Sequence, residues 1–417
     1  SQTPAMKHTP VVMGLHAATS YRIHVTATDG TGASLSDTLD LETGPLPPFL
    51  AGLETLISDA ERMQPGYTLF SGTVEEETYS AAVDGAGEVV YFSSGLGGNF
   101  VPTSAGSYLA ETTHGGPLIV TDLRGQSMGA TLTPQDYNTP TFHHTPGISP
   151  EGNYLAIGVE MRTIDGYPGA GDGTSYNVIG DLFFEIAPDG ALLREIALLD
   201  LLDPHRTMGG FDNSFWNMDF PAAEGGTKDW SHSNSIASDP LDGGYVVSVL
   251  HQNWVVKLNH DTDTLLWRLG PEGDFDLAPG GRWSRIHHGA VPLPGGRILL
   301  YDNLPTDPPL FSRAVEYTLD PVNGIATQTW EYQAEPGGIT DPMGEVHPLD
   351  NGNILICDSS MAEEPNQDNG PTWARLVEVT YPGTSEEVFR LTLKVQDGGP
   401  KMRGCKISSA HRIPSLY

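Results

Sequence analysis

Cysteine, positive charge and long apolar runs are all scarce in this chain of 417 residues. The only cysteines, Cys357 and Cys405, are far apart and in no CxxC pattern, which argues against a thiolate zinc site. A single disulfide between them and two free buried thiols both stay open. Lysine plus arginine number 21 against 53 aspartate plus glutamate, a formal net charge of −32 that argues against polyanionic partners such as nucleic acid or an acidic membrane surface. Plain solubility, a saline habitat or Ca²⁺ binding would each fit so acidic a composition. No segment approaches the roughly 18–20 uninterrupted apolar residues of a membrane span. The chain also begins at Ser1 without a signal-like stretch, as a mature secreted form or a trimmed piece would. The glycine-rich Gly169-Ala170-Gly171-Asp172-Gly173 lacks a following Lys-Ser/Thr, so it reads as a surface loop and not a P-loop.

What is abundant is turn chemistry. With 49 glycines and 33 prolines between short strand-like runs, the chain reads as all-β. Residues 1–48 stand apart. Strand alternation from Tyr21, a turn at Gly30 to Gly32 and a second strand to Thr43 resemble the last strands of a fibronectin type III sandwich, and Pro45-Leu46-Pro47-Pro48 follows as a stiff linker. A small, partial N-terminal β-sandwich is therefore expected before a main domain at 49–417.

That domain repeats a loop, a glycine turn and an apolar strand. The copies are Ser149 to Ile157, Asp239 to Val247, Pro292 to Leu300 and Pro348 to Ile356. Short antiparallel strands in repeated units are the pattern of a β-propeller, and the remaining length at about 45–60 residues per blade gives six to eight blades, with six the best fit.

Histidines keep step with these turns. His144 and His288 each lie eight residues before a turn glycine, Gly152 and Gly296, and each follows another histidine, His143 and His287. The two pairs are expected at one blade position. His232 enters its own blade eleven residues before Gly243, within Asp229-Trp230-Ser231-His232-Ser233-Asn234-Ser235-Ile236. The innermost strands of a propeller line one channel, so these imidazoles should converge, and mutual repulsion should keep them partly neutral near pH 7. His347, five residues before Gly352, reads as a blade-packing residue. Such a cluster could act in nucleophilic and acid–base chemistry, or as a three-histidine metal site of a hydrolase or lyase built on His144, His232 and His288. No carboxylate ligand stands in the same register, and neither metal nor cofactor is expected.

In order and spacing, Asp229 to Ile236, Trp267-Arg268-Leu269-Gly270, His287-His288-Gly289-Ala290, Asp302-Asn303 and Ser312-Arg313-Ala314-Val315-Glu316-Tyr317 resemble the bacterial arylsulfate sulfotransferase family. Arg62 to Phe70 and Arg412 to Tyr417 look like its opening and closing strands. The resemblance implies a six-bladed propeller with a small N-terminal β-sandwich and a periplasmic or extracellular location. It also implies sulfuryl transfer from an aryl sulfate to a phenol through a sulfohistidine, without a nucleotide donor. Carried over, it makes His288 the nucleophile and His232 and Asn234 the residues that bind the sulfuryl oxygens and escort the proton. His144 becomes a further catalytic histidine of the pocket. His143, His287, His251, Arg313 and Trp230 are candidate substrate contacts. The chain departs from the family at Leu250, where an arginine is usual, with His251 or Arg313 as substitutes for the lost cation, and at His287, where glutamine is common. A propeller that only binds or assembles is the alternative function, and a homo-oligomer is compatible with either.

Overall fold

Each of the four predicted turns folds as the hairpin joining the innermost strand of a blade to its neighbour. Ile148 pairs with Tyr154, Ser238 with Tyr245, Leu293 with Arg297, and Pro348 with Ile354. The computed structural model describes residues 10–417 apart from 75–76, 95–97, 104–105, 113–114, 169–174, 209–214, 341–342, 363–371 and 395–404, so the Gly169–Gly173 loop lies outside the described residues.

Six antiparallel sheets form a six-bladed β-propeller. Blade 2 runs outward from Phe100–Pro102 to Ser127–Leu132, and blade 3 from Gly147–Ile148 to Leu192–Ala197. Blade 4 runs from Ser233–Ser238 to Leu265–Leu269, blade 5 from His287–Leu293 to Ile325–Tyr332, and blade 6 from Glu345–Pro348 to Glu387–Leu393. Two strands close the ring. The C-terminal strand Cys405–Ile413 pairs with Tyr67–Val74 to become the innermost strand of blade 1, and Leu53–Ser58 adds to the outer edge of blade 6. The opening and closing segments thus meet in one sheet.

Period-two alternation turns successive side chains of a strand toward opposite neighbours. In blade 3, Leu155 and Ile157 join a core with Val247 and Val256 of blade 4, whereas Tyr154 and Ala156 join one with Leu109 and Val120 of blade 2. The remaining four interfaces carry equivalent clusters. Strands apolar on both faces are what this sandwiching of sheet on sheet demands, and ring closure leaves no blade face uncovered. Cys357 and Cys405 are free thiols in the core between blades 6 and 1, and burial pushes Cys405 up to about 12.

Ahead of the propeller, Ser20–Thr28 and Ser34–Glu42 form one antiparallel hairpin about the expected turn, with Ser20 paired to Glu42 and Thr28 to Ser34. Among the described residues this pair is a sheet of its own, tied to the propeller by contacts such as His16 Nε2 to Asp84 Oδ2 at 3.1 Å.

Candidate active site

Four successive blades begin their innermost strands beside a non-glycine residue with positive φ: His144 (61°), His232 (50°), Ile286 (56°) and Met343 (84°). This left-handed backbone costs about 1–2 kcal/mol per non-glycine residue. It is least favourable for the β-branched Ile286. Strain of that kind persists where surrounding bonds over-determine it. Ile286 N–H donates to Asn253 Oδ1 at 3.1 Å, and His232 C=O accepts from Leu250 N–H at 3.3 Å. Between blades 3 and 4 the inner strands approach so closely that a Cβ on Gly147 would sit 2.4 Å from Ile236 O.

The corners gather imidazoles. His144 and His232 have ring centroids 4.9 Å apart, and His232 and His251 4.8 Å apart. Nδ1 of His232 donates to Asp229 Oδ2 at 2.6 Å, and the other carboxylate oxygen accepts the Trp216 indole N–H at 2.8 Å. Burial pushes Asp229 up, but the charge and hydrogen bond of His232, with help from His251 and Trp216, outweigh it and hold the carboxyl below its ordinary value. The reverse holds for His232. Burial disfavours its cation, yet Asp229 dominates and the imidazole pKa is raised. His251 is lowered by burial, and its Nδ1 is spent on the Asp229 carbonyl at 2.8 Å. His143 and His144 share a proton between Nδ1 atoms 2.7 Å apart, while His143 Nε2 lies 3.3 Å from Asp181.

His288 sits two residues beyond its left-handed corner and is set differently. Its Nδ1 lies 2.7 Å from Asn303 Oδ1, and the Asn303 amide nitrogen donates to Thr340 O at 2.8 Å and Met343 O at 2.6 Å. The amide is therefore oriented with its oxygen toward the ring, so Nδ1 must carry the proton and Nε2 the lone pair. Burial lowers His288 to about 4 against the Asn303 bond, and the nearby charge of His232 lowers it further. Near pH 7 the ring is neutral, with Nε2 as its nucleophilic nitrogen.

Segment 229–236 is the wedge that organises both walls. Besides Asp229 and His232, Ser231 Oγ accepts Asp181 N–H and Ser233 N–H donates to Asp181 Oδ2, binding blade 4 to blade 3. Asn234 Nδ2 donates to His287 O at 2.7 Å, and Ser235 Oγ accepts Ala290 N–H at 3.1 Å, binding blade 4 to blade 5. Asn234 Oδ1 is buried without a hydrogen-bond partner, a polar atom facing no protein donor.

The structure thus brings His143, His144, His232 and His251 together around Asp229 and sets His288 within reach of the His232 charge. Other candidates lie elsewhere. Arg313 is fully buried in blade 5 with its Nε on Asp302 at 2.8 Å, so it is unavailable to a ligand. Trp230 packs in the core between blades 3 and 4 and gives its indole N–H to Arg206 O. His287 is wholly buried against Ser248 and supports the strand of His288. Leu250 is buried in a 3₁₀ turn behind His232, with no charge to offer. His347, expected to pack within its blade, instead lines the channel. The equivalence of the two His-His pairs also fails. His144 is itself the left-handed residue of its corner, whereas Ile286 takes that place in blade 5, so His288 is level with Asn234 and Glu345, counted from their corners.

Sequence reasoning assigned no role to Asp229, Asp181, Asn303, Trp216 or Arg285. Asp229-x-x-His232 was the available signal for the first, and Asp181 stands out as an acid in the middle of the largely apolar strand Tyr176–Ile186. Arg285, next to the Ile286 corner, is the one arginine among the described residues with no carboxylate within ion-pair distance, and its Nε is buried without a hydrogen bond.

The family model described as Arylsulfotransferase (ASST) matches residues 54–399. Arylsulfate sulfotransferase AssT of Escherichia coli O6:H1 (strain CFT073) is 26% identical over 223 residues, covering 40% of this chain and 37% of that relative. The match therefore spans little more than a third of that relative's length. Among solved structures, a protein of unknown function from Bacteroides caccae is 16% identical with a TM-score of 0.48, covering 83% of this chain and 98% of that one. Virginiamycin B lyase from Staphylococcus aureus is 9% identical with a TM-score of 0.39, covering 81% and 96%. At these scores neither likeness bears on function.

Proposed function

The chain belongs to the arylsulfotransferase family, and from that premise we propose that it moves a sulfuryl group from an aryl sulfate to a phenolic acceptor through a sulfohistidine at His288. The observation that carries the reading is the His288–Asn303 pair. A neutral imidazole with its proton held on Nδ1 presents the Nε2 lone pair without any deprotonation step.

In the first half-reaction His288 Nε2 attacks sulfur, the S–O(aryl) bond breaks, and its electron pair leaves with the aryl oxygen. His232, kept protonated by Asp229, gives that oxygen its Nε2 proton. The sulfuryl-imidazolium still carries Nδ1–H, and the hydrogen bond to Asn303 Oδ1 stabilises its positive charge. In the second half, the acceptor phenol loses its proton to His232 Nε2 while its oxygen attacks sulfur, and the N–S electron pair returns to His288. As in phosphoryl transfer, a loose transition state asks mainly for position and positive potential. Protonated His232 supplies one positive charge, and Arg285, next to the Ile286 corner and free of carboxylates, is the candidate for a second. Asn234 fixes the His288 strand through His287 O, and His144 and His143 complete the wall beside His232.

Incubation with 4-nitrophenyl sulfate should release nitrophenol faster with phenol than without it. Quenching with donor alone should leave one sulfuryl group on the peptide containing His288, and His288→Ala should abolish both signals. Absence of phenol-dependent release and of the adduct would defeat the reading. A periplasmic or extracellular location belongs to the same proposal, to be checked by fractionating the host cells. No helix among the described residues is long and apolar enough to cross a membrane.

A further inference from the structure

Beyond the histidine corners, the propeller axis holds a cavity of about 220 Å³ lined from all six blades, among them by Val101, Pro146, Ser235, Gly289, His347 and His411. One carboxylate and two imidazoles meet on its wall. Glu345 and His347 are alternate residues of the innermost strand of blade 6, so period-two geometry turns both to one face, the one toward blade 1, and both line the cavity. His411 comes from the closing strand of blade 1. We propose that Glu345, His347 and His411 bind one divalent first-row transition-metal ion on the channel axis, a site independent of the sulfuryl-transfer reading.

Three features set this group apart from a chance cluster. One ligand atom from each residue can be chosen so that all lie within 4.8 Å of one another, and His347 Nε2 stands 3.1 Å from Glu345 Oε2. Two donors at about 2.0–2.1 Å from a shared tetrahedral ion are separated by roughly 3.3 Å, so this edge is already nearly closed. The second feature is a fixed tautomer. Nε2 of His411 lies 2.8 Å from the Phe100 carbonyl, which can only accept, so Nε2 carries the proton and Nδ1 keeps its lone pair, with no hydrogen bond made to it. Metal-bound imidazoles are oriented by this kind of outer bond. Third, the carboxylate is held from outside. Its Oε2 accepts from Ser409 Oγ at 3.0 Å and Ala410 N–H at 3.1 Å, and its Oε1 from Thr145 Oγ1 at 3.2 Å.

A plain Glu345–His347 hydrogen bond would account for one imidazole only. It leaves unexplained why His411, its ring centroid 4.3 Å from that of His347, lines the same cavity within ligand-atom distance of both residues. Two nitrogens and one oxygen suit zinc, cobalt, nickel or iron and not Ca²⁺ or Mg²⁺, which favour all-oxygen shells. The cavity leaves room for water in the remaining positions. Such an ion would clamp blade 6 to blade 1, the pair of blades that closes the ring.

Chelator-stripped protein titrated with Zn²⁺ by calorimetry should bind one ion with high affinity, and Co²⁺ should give the visible bands of a nitrogen-containing site. The clamp should also raise Tm as Zn²⁺ is added, by mass action. Since changes to outer-shell partners alone cost about 10–100-fold in affinity, His347→Ala and His411→Ala should each lose about 100-fold or more, and Ser409→Ala about 10-fold. Glu345→Gln, nearly isosteric, tests the carboxylate if an alanine variant fails to fold. His251→Ala, which removes the other carboxylate–imidazole cluster, should keep the site intact. No stoichiometric binding, equal affinity in the His347 and His411 variants, or binding lost on His251→Ala instead would each overturn the assignment.

Discussion

Asp229→Asn is the sharpest probe of the proposed acid. Aspartate 229 accepts two bonds, His232 Nδ1–H at 2.6 Å on one oxygen and Trp216 Nε1–H at 2.8 Å on the other. Asparagine offers one acceptor and one donor in the same space. If its oxygen faces Trp216, the amide meets His232 Nδ1 and drives the ring proton to Nε2 without the carboxylate charge that raised its pKa. If its oxygen faces His232, two N–H groups oppose each other at Trp216. The second arrangement costs about 1–3 kcal/mol of stability for the unpaired buried donor, so the first, which keeps both contacts paired, is favoured. Losing a positioned general acid costs about 10²–10⁴-fold in kcat. Steady-state transfer to a fixed phenol, with phenyl sulfate and 4-nitrophenyl sulfate as donors, separates the two costs. Phenolate leaves poorly and should show the full loss, whereas nitrophenolate needs less protonation and should show a smaller one. The sign of the pH effect follows from the raised His232 value: transfer that needs the imidazolium is present below it and is lost as pH rises through it. In the variant that basic limb should move to lower pH. Equal slowing of both donors, with the limb unmoved, would refute the assignment of His232 as the acid.

The acidic limb belongs to His288, which has no lone pair once protonated, so kcat/KM should hold at mildly acidic pH and fall as pH drops through about 4. Asn303→Asp keeps an acceptor on Nδ1 but adds charge, and should move that limb upward. Asn303→Leu strands Thr340 O and Met343 O at about 1–3 kcal/mol each and frees the tautomer, so both the urea midpoint and kcat should drop. Arg285→Ala should raise KM for aryl sulfates about tenfold with Tm unchanged, because the guanidinium holds no ion pair; unchanged KM would remove it from the site. Arg313→Met leaves Asp302 buried without its cation and should cost about 3–5 kcal/mol in denaturant unfolding, while KM per folded molecule stays the same.

Much of the architecture was legible because blades 3 to 6 advertise their inner hairpins with proline and glycine at the turn. Blades 1 and 2 repeat no such motif, and the pairing of Cys405–Ile413 with Tyr67–Val74 joins segments that no local pattern connects. The site was legible residue by residue and not in its geometry. Counting back from turn glycines made His144 and His288 equivalent, but the inner strands carry β-bulges of their own, such as the register shift between His288 and Val291. Backbone handedness, not distance to the turn, sets the level of each side chain. Trp216 and Asn303 lie far from any histidine in the chain, so their bonds to Asp229 and His288 could not be read from spacing.

A funnel crowded with imidazoles should, from charge repulsion alone, carry several partly neutral rings of similar pKa. The environments divide them instead. His232 has a buried carboxylate at 2.6 Å that outweighs burial, and it is raised; burial lowers His288 to about 4, because the neutral amide at 2.7 Å offsets too little of it. Burial, with the neighbouring His288, lowers His287 to about 3, and its Ser248 partner carries no charge to oppose it. The choice of acid or amide as partner therefore decides which ring is cation and which is nucleophile. The coupling runs both ways, since the His232 charge is one cause of the low His288 value. Exchanging the partner types tests this directly. In Asp229→Asn the His288 limb should fall less far below the ordinary histidine range, because the neighbouring charge that suppresses it is weakened. Titration of both rings by NMR, followed through the Cε1 protons, should show the two values converging. If they keep their separation, burial alone sets them and the division of roles does not depend on Asp229.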